Sequence, residues 1–276
     1  MNSNIYKKKI LITVKTYPTL SSKYDELVCT AGITEDGEWT RIYPMPFRKF
    51  DDYIKYSKYQ WVEIDLIKNT SDVRPESFRP YHTPPNIKLL EKVSTGGDKK
   101  WSYRKEIVLK NVFTDLEKLI LENKSKKGTS LAIFKPTQVL DFIIEEDERE
   151  WDSGKLKIIE ERSKQINLFE ETKVFKVKKK LPYKFKYKFL DDKGKESCLM
   201  VEDWEVGELF WRYGQDIKNE KYALEKVRQK YFDDFAKTKD LHFFVGTTRE
   251  FDGWAHNPFV IIGTFHPPKD ERVSLF

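Results

Sequence analysis

The stretch LPYKFKYKFL, residues 181–190, allows very few conformations. Aromatic residues and lysines alternate strictly from Tyr183 to Phe189. A repeat of two residues is that of a β-strand, so Tyr183, Phe185, Tyr187 and Phe189 share one face and Lys184, Lys186 and Lys188 the other. The lysine face carries charges about 7 Å apart, a spacing that can follow a phosphate backbone. Lys176, Lys178, Lys179 and Lys180 add charge just upstream. The competing reading is a sheet edge guarded by lysine. Guarding needs only one or two such residues, so the surplus favours an anionic partner.

A second strand pair is written in CTAGITEDGEWTRIYPMPFR, residues 29–48. Asp36-Gly37 is a two-residue hairpin signal of the I′ type. With those two residues as the loop, Thr34 pairs with Trp39, Ile33 with Thr40, Gly32 with Arg41, Ala31 with Ile42 and Thr30 with Tyr43. One face is then core-like, with Cys29, Ala31, Ile33, Thr40 and Ile42. The other sets Trp39, Arg41 and Tyr43 over small residues. A base can stack on Trp39 or Tyr43 while Arg41 holds a phosphate. The alternative is that both aromatics pack under a second layer, with Arg41 reaching the rim.

The chain divides by composition. Residues 1–144 read as an N-terminal β-rich domain, with strands in KKKILITVKTYPT and YQWVEIDLIK, a proline-rich loop RPESFRPYHTPP and a helix in NVFTDLEKLILENKSKKG. In EEDEREWD, residues 145–152, six of eight positions are acidic, which marks 145–169 as an acidic connector. Residues 170–276 read as a C-terminal α+β domain: a strand pair turning at Asp191 to Gly194, two short amphipathic helices, and a closing hairpin. The expected fold class is α+β and β-rich, with small β-barrel-like or OB-like units and a few short helices.

Composition bounds the rest. Aromatic residues make up 14% of the chain, too many for a disordered protein. The net charge is +6, which suits an anionic partner without requiring one. The two cysteines, Cys29 and Cys198, have no framework spacing, and no window is long and apolar enough to cross a bilayer. A cytoplasmic location and no membrane partner are expected.

Catalytic signals are sparse. The four histidines, His82, His242, His256 and His266, fit no metal-ligand spacing, and there is no phosphate-binding glycine loop or nucleophile elbow. No cofactor and no metal site is expected. Glu63 and Asp65, or Glu202, Asp203 and Glu205, are carboxylate groups that a metal-dependent nuclease could use, but clusters of this kind also arise by chance among 45 acidic residues. Arginines are the usual phosphate readers, and Arg48, Arg74 and Arg79 lie in or near the proline-rich loop.

The pattern LHFFVGTT…PFVIIGTF, after a helix, resembles the PUA-like barrels of the ASCH and EVE types. The resemblance covers about thirty residues. It implies a small barrel with a pocket for RNA or a modified base, lined here by Trp254, His256 and Asn257, within a restriction or defence system. The leading reading is therefore a nucleic-acid-binding protein, DNA or RNA unresolved, that uses a basic surface interleaved with aromatics. An enzyme acting on nucleic acid and a non-catalytic subunit that meets a protein partner are the alternatives.

Overall fold

In the computed structural model, which describes residues 4–21, 23–96, 101–167, 176–215 and 219–269, alternation and turn chemistry place most strands. The N-terminal strands are β1 (Tyr6–Lys15), β2 (Thr19–Ser21), β3 (Asp25–Leu27), β4 (Thr30–Ile33), β5 (Trp39–Ile42), β6 (Gln60–Lys68), β7 (Ser77–Pro80) and β8 (Ile87–Lys92). β1 pairs with both β4 and β6, which closes the order β1-β4-β5-β7-β6 into a five-stranded barrel, with β8 added beside β6. Closure removes sheet edges that would otherwise invite mispairing. Ile10, Ile12, Ile42, Val62, Ile64, Leu66 and Phe78 pack together as its core.

One barrel strand was not expected. The segment 74–85 reads as an irregular loop because prolines crowd it, yet Ser77–Pro80 is β7. It pairs parallel with β5 and antiparallel with β6. Proline is tolerated at a strand end, where its missing N–H costs no ladder bond.

The rest of the chain forms α1 (Ser102–Val108), β9 (Val112–Phe113), α2 (Leu116–Lys124), β10 (Leu131–Phe134), β11 (Gln138–Glu146), α3 (Ser153–Asn167), β12 (Tyr183–Leu190), β13 (Glu196–Val201), α4 (Trp204–Tyr213), α5 (Glu220–Arg228), a π-helical stretch Gln229–Ala236, β14 (His242–Thr247) and β15 (Phe259–Phe265). A seven-stranded sheet runs in the order β11-β12-β13-β15-β14-β10-β9. Asp115 starts α2 by accepting a bond from the Lys118 amide at 3.0 Å, and Gly128 follows at φ +60°, a conformation that favours glycine.

Two expectations need correction. The changeover between sheets falls between Lys92 and Val112, not at the acidic segment, because β10 and β11 pair with β14 and β12. The acidic segment is not a bare connector either. It completes β11 and enters α3, whose Ile159 is buried. Residues 168–169 of that connector, and 173–175 of the strand expected upstream of Tyr183, lie outside the described residues.

The closing hairpin forms as β14 and β15, but within the open sheet. The closed barrel belongs to the N-terminal part, so the C-terminal barrel implied by the PUA resemblance is not the architecture found. Helices α4 and α5 and the π-helical stretch cover one face of the sheet. Part of the other face packs on the outside of the barrel, where Leu11, Trp61, Ile133, Phe244 and Phe265 form a shared core. Among the described residues no helix is long and apolar enough to cross a membrane.

Candidate nucleic-acid interface

The opening hairpin is shifted by one residue from the expected register. Ile33 pairs with Trp39, Gly32 with Thr40, Ala31 with Arg41 and Thr30 with Ile42. A I′ turn needs positive φ at both central residues, but Gly37 alone adopts it, at +92°. The loop is instead the three-residue kind, closed by Thr34 N–H donating to the Glu38 carbonyl at 2.9 Å. A one-residue slip changes which residues stand opposite each other. Trp39 and Arg41 thus join Ile33 and Ala31 on the face that meets the second sheet.

That face is not an open binding platform. Trp39 is half-buried, edge-on to Phe244 with centroids 5.9 Å apart. Arg41 is 3% exposed and donates to the Ser130 carbonyl and hydroxyl, both at 3.1 Å, with Glu76 at 3.7 Å. Tyr43 is half-buried, and burial pushes its phenol up. Arg74 is buried too. It grips Asp72 through two bonds, of 2.8 and 2.6 Å, and donates to the Thr247 carbonyl at 2.7 Å. Two arginines expected to read phosphate are therefore struts between the barrel and the second sheet. Arg79 alone of the loop arginines is exposed, on β7.

The loop pocket does not assemble either. Trp254 is 68% exposed and donates to the Glu250 carbonyl. His256 is exposed. Asn257 accepts from the Phe259 amide at 3.1 Å, which fixes the start of β15.

The aromatic face of β12 is core rather than part of a binding surface: Phe185, Tyr187 and Phe189 are fully buried. The lysine face is not an edge, because β12 lies between β11 and β13. Each lysine meets a carboxylate: Lys184 with Asp147 at 3.0 Å, Lys186 with Glu145 at 2.5 Å and Lys188 with Glu196 at 2.9 Å. Cross-strand pairs of opposite charge stabilise a sheet face and leave little net charge on it.

A basic concavity lies elsewhere, around Trp211. Gly207 in α4 leaves room for the Tyr17 ring, which lies where a β-carbon would stand. The Tyr17 hydroxyl accepts from the Trp211 indole N–H and donates to the Lys179 carbonyl, both at 2.8 Å. Burial pushes the Tyr17 phenol well up, so it stays a donor. Buried Glu26 accepts from Arg48 at 2.5 Å and from the Lys178 amide at 2.7 Å. Trp151 donates its indole N–H to the Lys178 carbonyl at 2.7 Å. Three side chains, Tyr17, Glu26 and Trp151, thus pin the backbone of residues 178–179, and Lys176 and Lys179 are left exposed.

The result is a concavity of about 550 Å³ around Trp211, lined by Arg48, Lys176, Lys178, Lys179 and Arg212 against one carboxylate, Glu208. The Lys179 ammonium lies 5.3 Å from the Trp211 ring centre. Glu208 is taken by Lys178 at 2.7 Å. Lys176, Lys179 and Arg212 are exposed. Sequence reasoning noted the lysine run but missed Tyr17, Glu26, Trp211 and Arg212, which converge from three distant segments. The nearest signal was the aromatic-rich amphipathic helix ELFWRYG.

Four of the five carboxylates weighed for metal chemistry lie beside basic side chains. Lys7 and Lys88 flank Glu63, and His82 lies 3.5 Å from Asp65. Buried Asp203 caps α4 and faces Lys58 at 3.5 Å, while Glu205 meets the same ammonium at 2.9 Å. Burial pushes the Asp203 carboxyl up to about 6. Burial also works against the Lys58 charge, but the two carboxylates outweigh it. Among the described residues no three His, Cys, Asp or Glu side chains are grouped to hold a metal.

The fold and site define a five-stranded barrel joined to a seven-stranded α+β unit. Residues 6–110 match the family described as domain of unknown function DUF8758, and residues 112–276 match domain of unknown function DUF8757. The second match spans more than half of the chain, which belongs to that family. Its start agrees with the changeover between the two sheets. No curated protein is detectably similar in sequence.

Proposed function

We propose that this protein binds single-stranded nucleic acid in the concavity around Trp211. The observation that carries the reading is an indole held by a buried tyrosine and surrounded by five cations and one carboxylate. Non-specific single-strand binders combine these two parts, a cationic track for phosphates and an aromatic ring on which any base can stack. Duplex bases are already stacked and cannot reach the ring. Both cysteines are free thiols, in keeping with a cytoplasmic protein.

The test is fluorescence anisotropy with labelled single- and double-stranded DNA and RNA at roughly 50 and 200 mM salt. Single strands are expected to bind more tightly than duplexes. Replacing Lys176, Lys179 and Arg212 together by Gln is expected to lower the salt slope by about two to three units, one per lost phosphate contact. Wild-type protein that binds neither strand form, or a triple variant with unchanged affinity and slope, would overturn the reading. Tight capture of an acidic protein without nucleic-acid affinity would favour the interaction-subunit reading.

A further inference from the structure

A second concavity, of about 980 Å³, opens between the barrel and the second sheet. Its size is at the upper end for small-molecule sites. Its composition is unlike that of the Trp211 site. Six lysines line it, but so do five carboxylates, around an apolar floor that includes Ile33, Trp39, Val112 and Ile133. A polyanion would meet five repulsive charges there. A ligand with a single anionic group would not, provided that group has a defined place.

One end of the groove supplies that place. The ammonium groups of Lys8 and Lys68 lie 4.4 and 4.1 Å from the centre of one ring, Phe78. Their hydrogen bonds go to neutral oxygens: Lys8 to the Thr40 hydroxyl at 3.3 Å and Lys68 to the Pro75 carbonyl. Two like charges on one ring repel each other. Burial lowers the Lys8 pKa and Lys68 lowers it further, against the pull of Glu38. The β12 lysines, by contrast, each have a carboxylate. The ring's negative face offsets part of the repulsion, and an anion between the two ammonium groups would offset the rest.

We infer that the groove binds an organic anion with a planar apolar body, its phosphate held between Lys8 and Lys68 and its body lying on the floor towards Trp39. The shared chemistry is that of a mononucleotide or another phosphorylated aromatic. The inference is independent of the nucleic-acid reading, which concerns a different concavity and different residues.

Calorimetric titration with three probes separates the parts: adenosine monophosphate for anion plus ring, inorganic pyrophosphate for anion alone, and adenosine for ring alone. The monophosphate is expected to bind more tightly than either fragment. Lys8→Gln and Lys68→Gln should each weaken the monophosphate and pyrophosphate by about tenfold, the usual worth of a charge-assisted bond. Trp39→Phe retains an aromatic ring against Phe244 and should weaken the monophosphate but not pyrophosphate. Lys230→Gln, on the π-helical stretch and outside the lining of the groove, should change neither. Thermal melts confirm that each variant is folded. No binding by wild-type protein, or affinity retained in both Lys8→Gln and Lys68→Gln, would overturn the inference.

Discussion

The hairpin around Trp39 and the concavity around Trp211 contain the same ingredients, an indole with nearby cations, and put them to opposite uses. At the hairpin the guanidinium of Arg41 is turned inward and spent on Ser130 and Glu76. At Trp211 the hydrogen-bonding is done by Tyr17, Glu26 and Trp151, which hold the backbone and leave Lys176, Lys179 and Arg212 facing water. A cation near an aromatic ring therefore indicates a binding surface only when something else holds the scaffold. The distinction depends on who satisfies the backbone, and residue type alone does not reveal it.

The largest effect is expected at the closed constellation. Arg41→Ala removes one donor from each of two buried oxygens on Ser130 and leaves Glu76 without its cation. Breaking a buried pair on one side costs about 3 to 5 kcal/mol, so thermal or urea unfolding should register a loss of that order. Affinity for single-stranded nucleic acid in the folded fraction should not move. A stable Arg41→Ala variant that loses binding would reverse the comparison.

The open constellation should show the converse. Trp211→Ala is expected to cost about 1 to 3 kcal/mol of single-strand binding, the worth of one stacked base. Its stability loss should be the smaller of the two, since the ring is half-exposed. Tyr17→Phe gives a finer reading. It keeps the ring seated on Gly207 but releases both the Trp211 indole and the Lys179 carbonyl. Affinity should fall with little change in salt slope, because the cations remain and only their placement loosens.

How much of this was legible depended on how local the determining interaction was. The β12 faces could be read from Tyr183 to Phe189 because alternation fixes them within one strand. The helix in residues 111–128 was equally local. The hairpin was visible, but its register depended on the backbone at Asp36, which a two-letter turn signal does not determine. β7 was hidden because its reason to exist is pairing with β5 and β6, which its own proline-rich residues do not signal. α3 was hidden in a charged stretch where Ile159 is the one buried side chain from residue 153 to 162. The Trp211 site was hidden most deeply, since residues 17, 26, 48, 151, 176–179 and 207–212 build it together.

The seam between the two units allows a subtler measurement. Asp203 sits near 6, and burial lowers His266 to about 4 from an ordinary 6.5. The two groups act in opposite directions. As pH falls from 6.5, the unfolded chain protonates His266 before the folded protein does, so stability is lost. The folded protein protonates Asp203 near 6, ahead of the unfolded value of 3.8, so stability is gained. Between about pH 6.5 and 5 the two contributions oppose each other, so the wild-type melting temperature should respond less to acid than that of either single variant. Asp203→Asn retains a helix cap and removes the gain, so its stability should fall with acid. His266→Gln should instead gain stability with acid. Parallel pH profiles for all three proteins would show that neither group titrates as its burial implies.

The smallest effect returns to the lysines that first suggested an anionic partner. Lys184, Lys186 and Lys188 each face a carboxylate on β11, β13 or the segment after β11, at a surface partly open to water. Exposed pairs of this kind contribute about 0 to 1 kcal/mol each. Replacing all three by Gln should lower stability slightly, by at most a few kcal/mol, and by less at high salt, where the pairs are screened. The salt slope of single-strand binding should not change, because these charges are already neutralised by the protein's own carboxylates. Lys176 and Lys179 come from the same lysine-rich run, have no such partners among the described residues and should carry the slope. If instead the β12 variant lost two to three units of slope while the Lys176, Lys179 and Arg212 variant lost none, the nucleic acid would lie across the sheet, displacing three carboxylates to reach it. The two triple variants, measured at two salt concentrations, decide which half of one lysine-rich run meets the phosphates.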